Sequence, residues 1–211
     1  ARDGPAGPQA PASRKGQSPQ GQGVCALSDD VVPQPLTLAI DTAAPRLQLA
    51  LLRCDGRVDT LVEDIAKGHA ELLFARVDTL LTRNGVIYAQ LQRIATTTGP
   101  GSFTGLRIGL SAARGLGLAR AIPVLGIPSL LALSLGASSG PVTVLLDARR
   151  DEAYFEAFPA PGRRAEGPRL LPMAEARAAI VPDSTLIESP FVDIGAMARF
   201  AATADPADYP P

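Results

Sequence analysis

The order of two hydrophobic spacings along this chain predicts an α/β fold. Leu36, Leu38 and Ile40, and later Leu47, Leu49 and Leu51, alternate with other residues as half-buried strands do. Ala70, Leu73, Phe74, Val77, Leu80 and Leu81 fall instead at helical spacing. The breaks between such segments are sharp. Asp55-Gly56 accepts the positive φ of a hairpin turn, and Gly99-Pro100-Gly101 cuts an apolar run before a long helix.

Taken in order, the first strand opens at Leu36, and a turn at Ala44 and Pro45 leads to the second. A third spans 57–64. A helix over 68–83 ends at Asn84-Gly85, which suits a helix C-terminus. A short helix over 88–92, a buried strand over 94–98, a long helix over 104–120, a strand over 122–126 and a helix over 128–135 follow. The order β-β-β-α-β-α-β-α is that of a ribonuclease H-like layer. A new strand, 142–147, then starts a weak repeat: 41–52 and 147–158 align without a gap. In each, a strand ends in Asp, a turn follows and alternation resumes. Leu47, Leu49 and Leu51 correspond to Ala153, Phe155 and Ala157. Such duplicated lobes are the architecture of the actin and sugar-kinase superfamily. After Pro159 the chain is rich in Pro, Gly and Arg, and only a strand over 184–188 and a helix over 191–203 stand out. The second lobe is therefore expected to be degenerate. The expected division is a leader, 1–35, then a first lobe, 36–135, and a second, 136–211. The leader is Pro, Gly, Gln, Ser and Ala with little to bury, so disorder is expected. It lacks the basic start and apolar run of a secretory signal.

Composition narrows the function classes. Hydrophobic residues make up 46 % of the 211 residues but aromatics only 4 %, so the core is expected to be Leu, Ala, Val and Ile. Lys and Arg number 20 against 21 Asp and Glu. That balance offers no broad basic surface, so any role on RNA needs a partner to hold the RNA. Cys25 and Cys54 make neither a disulfide framework nor a zinc site, which fits a reducing cytoplasm. The apolar stretch 106–125 carries Arg107, Arg114 and Arg120, which argues against a membrane span.

Three blocks then carry a resemblance. Leu38-Ala39-Ile40-Asp41-Thr42, the twelve residues from Thr98 through Gly99-Pro100-Gly101-Ser102-Phe103-Thr104-Gly105 to Gly109, and Leu145-Leu146-Asp147-Ala148-Arg149-Arg150-Asp151-Glu152-Ala153-Tyr154 resemble the TsaB (YeaZ) family, together with His69-Ala70-Glu71-Leu72-Leu73. The family belongs to a superfamily also described as Gcp-like. The resemblance covers 36 to about 158. It implies a cytoplasmic, non-catalytic subunit in the synthesis of threonylcarbamoyladenosine beside the tRNA anticodon. Such a subunit pairs with and activates the catalytic paralogue TsaD, is joined by the ATPase TsaE, and meets tRNA only through the complex. A homodimer is the other pairing the family uses.

The residues themselves weigh against catalysis. The paralogue holds a metal through two histidines at i and i+4, on one helix face. This chain has one histidine, His69; position i+4 is Leu73, and Glu71 at i+2 points elsewhere. His69 is read as a helix-start or surface residue. No metal site and no catalytic residue is expected, and a peptidase lacks a base for Ser102 or Thr104. For the glycine loop two readings stand. One is a strand-to-helix turn capped by Ser102 or Thr104. The other is an anion or nucleotide contact through Asp41, Thr42, Gly99, Gly101 and Ser102 at a helix N-terminus. No Lys-Ser or Lys-Thr follows Gly105, so the phosphate-loop pattern fails. No cofactor is required, and any adenine-nucleotide binding would be vestigial. The rival function is a small nucleotide-dependent phosphotransferase or ATPase of the actin-like superfamily. A self-associating module is the third reading.

The long helix carries Gly105, Gly109, Ala113 and Gly117 every four residues. This flat strip packs either within the lobe or against a partner. Two helices with spare apolar surface present half of a four-helix bundle. The partner surface expected from this is Leu72, Leu73, Ala75, Arg76, Gly109, Ala112, Ala113 and Leu116, and Ala113→Glu would place a charge in the strip. Arg149, Arg150, Arg163 and Arg164 read either as solvated surface or as phosphate contacts.

Overall fold

The computed structural model describes residues 33–65 and 68–211; of the leader, 1–32 lie outside it. Two sheets share one topology. The first has the order β3-β2-β1-β4-β5, from β1 (Thr37–Asp41), β2 (Arg46–Leu52), β3 (Val58–Asp64), β4 (Arg93–Thr97) and β5 (Val124–Ile127). The hairpins β1–β2 and β2–β3 are antiparallel, and β1–β4 and β4–β5 are parallel. The parallel pairs are joined by crossovers that carry α1 (His69–Arg83) and α2 (Phe103–Arg120). The short helix α3 (Ser129–Ser134) follows β5. The second sheet, β8-β7-β6-β9, repeats β3-β2-β1-β4 with β6 (Val142–Arg149), β7 (Glu152–Phe158), β8 (Arg169–Pro172) and β9 (Thr185–Ile187). Asp41 and Asp147 occupy equivalent places in β1 and β6. Each accepts a hydrogen bond from the backbone N–H two residues on, Ala43 and Arg149. The duplication is thus a feature of the fold as well as of the sequence. Among the described residues the second sheet has four strands against five in the first, and α4 (Met173–Ala178) is six residues long where α1 has fifteen.

β1 corrects the expectation of a half-buried strand, because all five of its residues are buried. Leu38 and Ile40 face a core with Leu73, Val77 and Leu80 of α1 and Ala112 and Ala113 of α2. Ala39 faces a second core, between the sheets, built with Leu125, Val142, Val144 and Phe158. That side is closed by α5 (Ile194–Thr203), whose Met197, Ala198 and Ala201 join this core. Arg93, at the start of β4, donates to the carbonyls of Ala201 and Ala204 and so satisfies the C-terminal end of α5. The C-terminal helix therefore lies on the first sheet. The division at 135/136 separates the sheets but not the packing.

Sequence reading missed β8 and α4. β8 is an edge strand with three of its four residues exposed, and α4 buries only Ala176, so neither leaves a periodic signal. Two further expectations need correction. His69 does start α1, but it is buried, 8 % exposed, and its Nε2 has no hydrogen-bond partner. Cys54 is buried and disulfide-bonded, so the compartment argument from unbridged cysteines loses its footing; Cys25 lies outside the described residues. No helix among the described residues is long and apolar enough to cross a membrane.

Candidate functional site

Two concave places involve the singled-out residues: the cleft between the lobes and a groove between α1 and α2. The cleft, about 610 Å³, lies between the turn 43–45, the loop 100–103 and the tip of the β6–β7 hairpin. Of the five expected anion contacts, only Gly101 and Ser102 line it. Ser102 is the N-cap of α2, its Oγ accepting from the Gly105 N–H at 3.2 Å, while its own N–H donates to the Ala43 carbonyl. Gly101 is required by contact: a Cβ there would sit 2.9 Å from both Cβ and O of Ala43. Gly99 is turned toward α3, its N–H donating to Ser129 Oγ and its carbonyl accepting from the Ser129 N–H.

Asp41 and Thr42 are withdrawn from the cleft. Asp41 is 1 % exposed, and its carboxylate accepts from Thr97 Oγ1 at 2.7 Å, Gln48 Nε2 at 3.1 Å and the Ala43 N–H at 3.1 Å. Thr42 Oγ1 donates to the Gly105 carbonyl at 2.7 Å. Both groups are spent on tying β1 to β2, β4 and α2. The cleft's charges come from the second lobe and its margin: Asp147, Arg149 and Glu188. Arg149, Arg150 and Asp151 form the hairpin tip with φ of 69°, 55° and 61°, a left-handed run that L-residues adopt at a cost.

The groove between α1 and α2 is different in kind. It encloses about 610 Å³ and is mostly apolar, with Ala70, Leu73 and Phe74 on one side and Ile108, Ala112 and Leu116 on the other. Phe74 and Phe103 stand at its rim, 48 % and 68 % exposed, and the Arg107 guanidinium lies 3.8 Å over the Phe103 ring. Of the eight residues expected to form a partner surface, Leu73, Ala112 and Leu116 line this groove. Leu72, Ala75 and Arg76 lie on other parts of α1, and Arg76 is ion-paired to Glu63 at 2.6 Å. Gly109 and Ala113 are buried against the sheet, which corrects their placement on an outer face. A Cβ at Gly109 would come 2.7 Å from Thr42 Oγ1, and one at Gly117 2.2 Å from Val124 Cγ2. The glycine strip lets α2 sit close on its own lobe. Gly115 is the exception: it lines the groove, and a Cβ there would meet nothing within 4 Å. Phe103 and Gly115 escaped the sequence reading; Gly115, three residues on from Ala112, shares its helix face, whereas Phe103 lines up with Arg107 and reaches the groove from the start of α2.

These features define a two-lobed, ribonuclease H-like α/β protein whose first-strand carboxylate, Asp41, is locked inside and which opens an apolar groove between two helices. Residues 62–177, more than half of the chain, match the family model described as TsaD: tRNA N6-adenosine threonylcarbamoyltransferase. The chain belongs to that family and, within it, to the TsaB/YeaZ group. It is 36 % identical over 125 residues to the tRNA threonylcarbamoyladenosine biosynthesis protein TsaB of Escherichia coli, covering 57 % of this chain and 54 % of that one. To the Bacillus subtilis protein of the same name it is 34 % identical over 119 residues, covering 56 % and 52 %. The chain thus spans about half the length of these curated relatives. Among solved structures, YeaZ from Pseudomonas aeruginosa superposes with a TM-score of 0.67 at 26 % identity, covering 79 % of this chain and 90 % of that one. Another Pseudomonas aeruginosa structure, described as similar to the peptidase YEAZ, gives 0.70 at 27 % with the same coverage.

Proposed function

We propose that this chain is a non-catalytic subunit in the synthesis of threonylcarbamoyladenosine in tRNA, acting in the cytoplasm by pairing with a TsaD-type catalytic subunit and activating it. The observation that carries the reading is the groove between α1 and α2, open, apolar and rimmed by exposed Phe74 and Phe103. The stretch matching the TsaD model includes both helices. A partner built on the same plan therefore brings a like pair of helices, and two pairs make a four-helix packing. A TsaE-type ATPase joins the assembly, and tRNA is met through the complex.

The chemistry of this chain supports a silent role. Asp41, which would face a metal-nucleotide in an actin-like enzyme, is saturated by donors of its own lobe. No cofactor is required in this reading. A vestigial adenine nucleotide, if bound, would meet Gly101, Ser102 and Arg149 in the cleft rather than Asp41 or Thr42.

The test is co-purification of the full chain with a TsaD-type subunit, followed by a threonylcarbamoyl-transfer assay with and without this chain. Capture of the partner and dependence of transfer on the chain are expected. A chain that forms only its own homodimer, or that turns over ATP or modifies tRNA alone, overturns the reading.

A further inference from the structure

Glu156 lines neither of the places described above; it sits on β7, two residues beyond Tyr154, which borders the cleft. Its position follows from β7, which alternates its side chains between two faces. Phe155 and Ala153 join the small core under α4, while Glu156 points the other way, opposite Val144 of β6. β8 pairs with β7 only as far as Phe155, so beyond it the strand is flanked by the strap 159–168. Glu156 is 7 % exposed and lies where two cavities meet, about 650 and 270 Å³. Arg164, Ala165 and Gly167 of the strap line both.

The carboxyl accepts from the Gly167 N–H, and no ion pair among the described residues includes it. Burial pushes its pKa above the usual glutamate range, and the Gly167 bond only partly opposes that. The charged or titratable groups around it are few. The strap supplies Arg164 and Glu166, β8 supplies Arg169, and the C-terminal segment supplies Asp208 and Tyr209. β6, α3 and the loop after β4 bring only Val144, Leu131 and Thr98. Arg169 lies against the Phe155 ring, 5.0 Å from its centre. Arg164 is the cation that borders both cavities, and it is held outward. Its Nη2 donates to the Asp208 carbonyl at 2.6 Å and lies 3.7 Å from Asp208 Oδ1, with the guanidinium 5.3 Å over Tyr209.

We propose that Arg164 is a two-position latch: it rests on Asp208 and Tyr209 while Glu156 keeps its proton, and turns inward onto Glu156 when that carboxyl ionises. A buried carboxylate without a counter-charge is costly, and a bidentate arginine is the partner that relieves it. The outward pair is more than half exposed on both sides and worth little, so the exchange is cheap. The movement matters because Tyr209 holds the C-terminal segment to the first sheet. Its carbonyl accepts from the Gly126 N–H at 2.9 Å, and its ring packs edge-on against Phe200 of α5. Ionisation of Glu156 thus releases one of the ties between the strap of the second lobe and the segment lying on β5.

Carbon-detected NMR on the full chain tests this across pH. The Glu156 carboxyl signal is expected to titrate above the ordinary glutamate range, with the Arg164 Nε–H and Tyr209 ring signals moving at the same midpoint. Glu156→Gln should abolish both movements, and Asp208→Asn should bring the midpoint down by freeing Arg164. Movements of Arg164 and Tyr209 that persist unchanged in Glu156→Gln, or that fail to accompany the Glu156 titration, overturn the latch.

Discussion

Thr97 donates its hydroxyl to Asp41 across the parallel β1–β4 pair, 2.7 Å from Oδ1, and this bond decides what Asp41 is for. A carboxylate at the end of the first strand invites a catalytic reading. With Gln48 and the Ala43 N–H as further donors, it is instead the knot of the first turn. Asp41→Ala is therefore expected to cost stability. It strands buried donors at roughly 1–3 kcal/mol each. With Thr97 and Gln48 both buried, a loss of about 2–6 kcal/mol in urea unfolding is expected. Asp41→Asn should fall between, since an amide serves Thr97 but opposes the Gln48 amide.

Phe74 and Phe103 carry the second prediction. Both are exposed at the rim of the groove, so Phe74→Glu and Phe103→Asp should leave the unfolding free energy within about 0.5 kcal/mol of the parent, as surface changes do. If the groove is the pairing face, each should weaken capture of a TsaD-type partner at least about tenfold, the scale of a lost interface anchor. Ala113→Glu, which a reading of the strip as an outer face would select, tests something else. Ala113 is 0 % exposed, so the charge enters the core beneath α2, and an unfolded or insoluble product is expected.

How far the sequence was legible follows from these residues. Periodic apolar spacing located α1 and the β2–β3 hairpin to within a few residues, because α1 and β3 each bury one regular face, while β1 and α3, buried all round, were marked by apolar runs between turn residues. β8 and α4 were hidden because they bury almost nothing. The recurrence of Gly105, Gly109, Ala113 and Gly117 showed that something approaches α2 closely, but spacing carries no direction. What approach are Thr42 of the first turn, far from Gly109 in sequence, and Val124 of the adjoining β5. His69 likewise began a helix as read, and only the packing around α1 showed it to be buried.

Gly115 separates folding from pairing. It lies within α2 with open space where a side chain would be, unlike Gly109 and Gly117. Gly115→Ala should stabilise the free chain by up to about 1 kcal/mol, the helix-propensity difference. If a partner helix approaches the groove there, the same change should weaken pairing. A more stable variant that pairs normally would show that the close approach lies elsewhere on the groove, while pairing itself stands on the Phe74 and Phe103 results.

Glu156 makes stability depend on pH with a definite sign. Its folded-state pKa is raised by burial, so the folded chain holds a proton that the unfolded chain has already released. Stability is therefore lost as pH rises from the ordinary glutamate range through the raised value, and it is flat with respect to this group above that. Glu156→Gln removes the loss while keeping the shape. Its Tm should match the parent's at acid pH and exceed it at neutral pH, the gap opening across that window in a series of thermal melts. A gap that is constant with pH would mean that Glu156 ionises as freely in the folded chain as in the unfolded one, through water or an inward Arg164 already in place.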